Sequence, residues 1–120
     1  MTQPVRIYHN PRCSKSRGAC ALLEELGVQA EVRHYLDNPP DKDELRALVA
    51  ALGIRPGELV RRGEAVFKAQ YAGLTLGDEE WLEALAAHPI LIERPIVVVG
   101  SRAVVARPPE RLRELFEPAG

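Results

Sequence analysis

Hydrophobic and polar positions follow two rhythms along this chain, and the switches between them mark out its elements. Val5 to His9 is a run of β-branched and aromatic residues that Pro11 breaks, predicting a short strand. Past Cys13 the period lengthens. Ala19, Leu22, Leu23 and Leu26 form one stripe of an amphipathic helix, and Gly27 is placed to stop it. Ala30 to Leu36 predicts a second strand, closed by Asp37-Asn38-Pro39-Pro40. Two strands around a helix of this length make a βαβ unit, whose crossover implies parallel pairing. Asp41, with Glu44 three residues on, predicts an N-cap for a helix striped by Leu45, Leu48, Val49 and Leu52 and ended by Gly53.

From Ile54 to Ala87 no segment reads as a strand. Leu59-Val60-Arg61-Arg62 predicts a short helix and Glu64 to Tyr71 another, while Asp78-Glu79-Glu80 is an acidic first turn before Trp81, Leu82 and Leu85. This region, about residues 54–88, is expected to be a helical insertion over one end of a sheet. Ile96-Val97-Val98-Val99 predicts a buried strand, turned at Gly100-Ser101 into Ala103-Val104-Val105 as an antiparallel hairpin. Pro108-Pro109 opens a last helix with Leu112, Leu115 and Phe116 expected on its inner face.

The order β-α-β, helical insertion, β-β-α predicts a single α/β domain over residues 1–120 with a thioredoxin-like (glutaredoxin-like) mixed sheet. In that layout the residue following the first strand and the X-Pro bond preceding the third share one end of the sheet, so Pro95 is the candidate for a cis peptide.

Composition narrows the function classes. A net charge of −1 and a pI near 6.3 argue against non-specific binding to nucleic acid or a membrane surface. No apolar run approaches about 18 residues and the N-terminus lacks a signal-peptide plan, so the expected location is the cytoplasm. The two cysteines, Cys13 and Cys20, would stand about 10.5 Å apart along one helix, beyond the roughly 7 Å that a disulfide spans. With His9, His34 and His88 scattered, no metal site is expected, and a reduced thiol protein is the better reading. Cys20 sits at the edge of the first helical stripe and reads as a small core residue, with a resolving thiol as the alternative.

Candidate chemistry concentrates in Tyr8-His9-Asn10-Pro11-Arg12-Cys13-Ser14-Lys15-Ser16-Arg17. A thiol at a helix mouth gains from free N–H groups and partial positive charge, both of which favour the thiolate. Arg12, Lys15 and Arg17 add to that field. Thirteen arginines against three lysines fit either a GC-rich genome or the recognition of an oxyanion by planar guanidinium groups.

His9-Asn10-Pro11-Arg12-Cys13-Ser14-Lys15-Ser16-Arg17, Tyr35-Leu36-Asp37-Asn38-Pro39-Pro40, Pro89-Ile90-Leu91-Ile92-Glu93-Arg94-Pro95-Ile96-Val97-Val98 and Arg107-Pro108-Pro109-Glu110 closely resemble the glutaredoxin-dependent arsenate reductase family, in the same order and with similar spacing. The resemblance implies Cys13 as the thiol that attacks arsenate and Arg61, Arg94 and Arg107 as the oxyanion-binding arginines. It implies His9 as a tuner of the thiol pKa, although a strand-end histidine that packs locally is the alternative. Arg62, adjacent to Arg61, would take its place if the helical register shifted by one. The resemblance further implies glutathione as co-substrate and glutaredoxin as partner, with no bound cofactor and a monomer by default. Chemistry fits this reading, because a tetrahedral oxyanion needs charge-assisted donors and a helix N-terminus.

Two other functions are compatible with the same fold. Transcription regulators of the superfamily bind RNA polymerase and sense redox state through C-x-x-C, whereas position 16 here is Ser16. A glutathione-linked thiol oxidoreductase with a different substrate would use the same cysteine and arginines.

Overall fold

The computed structural model describes residues 4–116. The chain packs as two compact units, one running to Tyr35 and resuming at Arg94, the other comprising Leu36–Glu93.

In the first unit, β1 (Val5–His9), α1 (Ser14–Glu25) and β2 (Glu31–His34) form the expected βαβ, with β1 and β2 parallel. β3 (Ile96–Val99) runs antiparallel to β1, and β4 (Arg102–Val105) returns antiparallel to β3. The sheet order β2-β1-β3-β4 is that of a thioredoxin-like fold. Pairing of Tyr8 with Ile96 sets the end of β1 beside the start of β3. Pairing of Ile96 with Val105, continued by Ala106 N–H donating to Pro95 C=O at 2.8 Å, brings the exit of β4 to the same place. Residues 10–13, 94–95 and 107 therefore converge through the strand register alone. The Arg94–Pro95 bond is cis, as expected, and so is Arg107–Pro108.

A core of Ile7, Ala19, Leu23, Val97 and Leu112 fastens α1 and the final segment to the sheet. That final segment, Pro109–Leu115, is a 3₁₀ helix. At three residues per turn Leu112 and Leu115 share the inner face, and Phe116 falls one step off it. The expected burial of Phe116 is thus corrected: it is 39% exposed. β2 is also shorter than predicted, because the chain turns at Tyr35.

The second unit holds α2 (Lys42–Leu52), a 3₁₀ turn (Pro56–Leu59), α3 (Ala65–Gln70), α4 (Asp78–Ala87) and a second 3₁₀ turn (Pro89–Leu91). Asp41 caps α2 by accepting the Glu44 N–H at 2.8 Å, and Gly53 ends the helix at φ +70°, a left-handed conformation suited to glycine. The acidic start of α4 meets α2 through Glu79, which pairs with Lys42 at 2.8 Å and with Arg46 at 2.9 Å. Leu59 ends the 3₁₀ turn, Val60 is extended (φ −89°, ψ 127°) and Arg62 enters a turn, which corrects the helix predicted over Leu59–Arg62. Val60 bridges to Ile92, the Arg61 N–H donates to Leu91 C=O at 2.7 Å, and the Glu93 N–H donates to Leu59 C=O at 2.9 Å. Leu59 and Val60 are buried, and this pairing satisfies the backbone that flanks them. Among the described residues no helix is long and apolar enough to cross a membrane.

Candidate active site

Cys13 occupies the N-cap position of α1, with extended backbone (φ −95°, ψ 121°). Nothing acidic lies in the first turn of this helix, so its positive end stays uncompensated. The turn leading to the cysteine is tied by its own backbone, since the Cys13 N–H donates to Asn10 C=O at 3.0 Å. The thiol is half-buried. Burial acts on it first and pushes its pKa up. The Ser16 N–H, the Arg94 guanidinium and the Lys15 N–H favour the thiolate and together outweigh burial, leaving Cys13 below the ordinary thiol range.

Arg94 is 9% exposed, an unusual degree of burial for arginine. Its backbone also serves the site: Arg107 Nη1 donates to Arg94 C=O at 3.2 Å and lies 3.9 Å from Cys13 Sγ. Two guanidinium groups from two different strand ends thus flank one sulfur. Such an arrangement holds a thiolate and can receive a tetrahedral anion against it, because guanidinium groups pair with oxyanions through parallel N–H donors.

The remaining expected site residues are placed as follows. His9 is 9% exposed, and its Nδ1 lies 3.6 Å from Cys20 Sγ. Its ring meets that of His34 edge-on at 5.7 Å. Burial, then His34, then Arg17 push the His9 pKa down, so the neutral imidazole is favoured. The groups that oppose burial at Cys13 and lower its pKa are Ser16, Arg94 and Lys15. Cys20 packs against the core, and burial pushes its thiol up, away from reactivity. Arg61 and Arg62 belong to the Leu36–Glu93 unit. Arg61 Nε pairs with Glu64 Oε1 at 3.2 Å, whereas the Arg62 guanidinium lies over the rings of Phe67 (5.3 Å) and Trp81 (5.5 Å). Among the described residues no cluster of histidine, cysteine and carboxylate groups is arranged to hold a metal.

Sequence reasoning passed over Asn10 and Ser16 as individual contributors. Both are buried, at 3% and 0% exposure, within a stretch that is otherwise polar and accessible. The available signal was a short amide residue directly before Pro11, a common turn former, and a hydroxyl three residues beyond the cysteine.

Similarity to known proteins follows the same segments. The ArsC family matches residues 8–115. Arsenate reductase of Neisseria meningitidis serogroup A is 45% identical over 116 residues, covering 93% of this chain and 97% of that protein. Uncharacterized protein YfgD of Escherichia coli K12 is 45% identical over 117 residues, covering 96% and 98% respectively. The solved structure of arsenate reductase from Vibrio cholerae superposes with a TM-score of 0.90 at 42% identity, covering 95% of this chain and 98% of that one. A thiol at the N-cap of α1, the strand register that delivers Arg94 and Arg107 to it, and a match spanning nearly the whole sequence lead to one conclusion: this chain belongs to the ArsC family.

Proposed function

We infer that the protein is an arsenate reductase, turning arsenate into arsenite through a covalent adduct on Cys13 with electrons from glutathione and glutaredoxin. The observation that carries this reading is the Cys13 sulfur itself, held toward the thiolate by Arg94 and two helix amides with Arg107 Nη1 at 3.9 Å. These groups serve two ends. They ionise the nucleophile, and they offset the repulsion between a thiolate and an incoming anion.

The chemistry balances as follows. The Cys13 thiolate displaces one arsenate oxygen, which leaves as water, and forms an S–As(V) bond. A glutathione thiol displaces a second oxygen and forms the other S–As bond. A glutaredoxin thiolate then attacks the glutathione sulfur. The S–As electron pair remains on arsenic, which becomes As(III), and a glutaredoxin–glutathione mixed disulfide departs. Water finally releases arsenite from Cys13. An external reductant suits this chain, because Cys20, the other thiol, is directed into the core beside His9. The family resemblance adds Arg61 as a third oxyanion donor.

The test is arsenate-dependent NADPH oxidation in the presence of glutathione, glutaredoxin and glutathione reductase. Wild type turns over and Cys13→Ser does not. Arg94→Ala and Arg107→Ala each raise the arsenate concentration needed, as does Arg61→Ala, while Arg62→Ala leaves it unchanged. Absence of turnover by the wild type, or equal turnover by Cys13→Ser, refutes the proposal. A larger loss from Arg62→Ala than from Arg61→Ala reverses the assignment of those two residues. Replacing glutaredoxin with thioredoxin identifies the reductant.

A further inference from the structure

Ser16 is the third residue of α1 and begins the helix face that continues through Ala19, Leu22 and Leu23 into the core. An apolar side chain would fit that face. A fully buried hydroxyl there costs free energy unless it is hydrogen-bonded. Ser16 Oγ meets this demand by accepting the backbone N–H of Asn10 at 3.2 Å. Asn10, almost as deeply buried, has two acceptors engaged as well: Oδ1 accepts the Arg12 N–H at 3.0 Å and its C=O accepts the Cys13 N–H at 3.0 Å. The loop that presents the sulfur is therefore fixed at two points to one residue, and that residue is fixed to the first turn of α1 by one hydroxyl.

We propose that Ser16 and Asn10 are positioning residues for the reaction, a buried latch that holds the Asn10–Cys13 loop on the first turn of α1 and so keeps Cys13 Sγ against the first-turn amides. Neither side chain has a described contact with the sulfur. Ser16 instead contributes in two ways, with its N–H acting on the sulfur directly and its Oγ anchoring the loop on which the sulfur sits. When the anchor is cut, the Ser16 N–H remains in the helix but the sulfur is free to leave it. A serine at this position thus has a role beyond lacking the second thiol of a C-x-x-C pair. The inference rests on Cys13 being the nucleophile, and its test is independent of arsenate.

Iodoacetamide alkylation of Cys13 is followed against pH in a Cys20→Ala background, for Ser16→Ala, Asn10→Ala and the hydroxyl-retaining Ser16→Thr, with circular dichroism confirming the fold. The expected result is an upward shift of the alkylation midpoint by about one pH unit in Ser16→Ala and Asn10→Ala, a roughly tenfold smaller thiolate fraction below the midpoint, and partial or full reversal in Ser16→Thr. In the arsenate assay the loss falls on kcat, with KM held by the arginines. If Ser16→Ala does not fold, Ser16→Gly decides for the hydroxyl and Asn10→Ala for the Oδ1 link to Arg12. Folded Ser16→Ala and Asn10→Ala proteins with wild-type midpoints overturn the latch. A shifted midpoint in a protein that never reduces arsenate supports the latch while defeating the proposed function.

Discussion

Replacing Arg94 by alanine separates the charge at this site from its architecture. The Arg94 side chain favours the Cys13 thiolate, while its backbone carbonyl holds Arg107 at 3.2 Å. Alanine removes the first and keeps the second, so the Arg107 anchor stays available. A hydrogen bond to a charged group is worth about 1.5–3 kcal/mol. Cys13 is half-buried and partly screened, so the lower end applies, and at 1.36 kcal/mol per pKa unit the thiol rises by about one unit. The sign is fixed by charge: losing a cation that stabilises the anion raises the pKa, and the thiolate fraction at neutral pH falls by up to about tenfold. Arg94→Lys keeps the charge without the planar fork and shifts the pKa less. The rate of iodoacetamide alkylation against pH measures this directly, with Cys20 replaced by alanine. Arg102→Ala is the control, because Arg102 donates to the Glu114 carbonyl at 2.9 Å and is exposed. An unchanged midpoint in folded Arg94→Ala, or an equal shift in Arg102→Ala, would falsify the electrostatic account of the site.

Three other outcomes follow from the structure. Asp41→Ala removes the cap on α2 and lowers stability by about 1 kcal/mol, read from the urea midpoint. Leu112→Ala, at a fully buried position, costs about 2–5 kcal/mol, whereas Phe116→Ser stays within about 0.5 kcal/mol; equal losses would restore Phe116 to the core. His9 has a lowered pKa in the folded state, so the unfolded chain binds its proton more readily. Stability is therefore fully present above about pH 6.5 and declines as pH falls toward the lowered folded value. His9→Gln flattens that acid limb in urea titrations at pH 7.5 and 5.5, and an unchanged slope removes His9 as its cause.

Elements whose causes are local were legible in the sequence. Asp41 and Gly53 bracket α2 as written, Gly100-Ser101 makes the turn of the hairpin, and the register that brings β1 to β3 follows from the β-α-β…β-β-α order. Errors arose where a partner distant in sequence decided the conformation. Leu59-Val60-Arg61-Arg62 has the composition of a helix, but its backbone groups pair with Leu91 to Glu93, about thirty residues away, and no periodicity announces that. A 3.6-residue period puts Phe116 on the inner face, whereas the chain there adopts three residues per turn. At the site, Cys13, Arg94 and Arg107 could be read from motif and proline context. The contact of His9 with Cys20 could not, since it depends on which face of α1 meets the end of β1. Nor could the burial of Asn10 and Ser16, two polar residues whose value appears only once their partners are known.

Cys13 stands where a helix prefers serine, threonine, asparagine or aspartate, and the first-turn N–H groups that favour its thiolate make no regular cap hydrogen bond to the sulfur. Sulfur is a weak acceptor beside a hydroxyl or carboxylate oxygen. Replacing Cys13 by serine therefore supplies a stronger cap as it removes the nucleophile, and at a pH low enough to keep the Cys13 thiol protonated the inactive protein is the more stable one, by up to about 1 kcal/mol. Mutations that make α1 a better helix run against the chemistry at this position, so its N-terminus is held below its attainable stability by the reaction it serves.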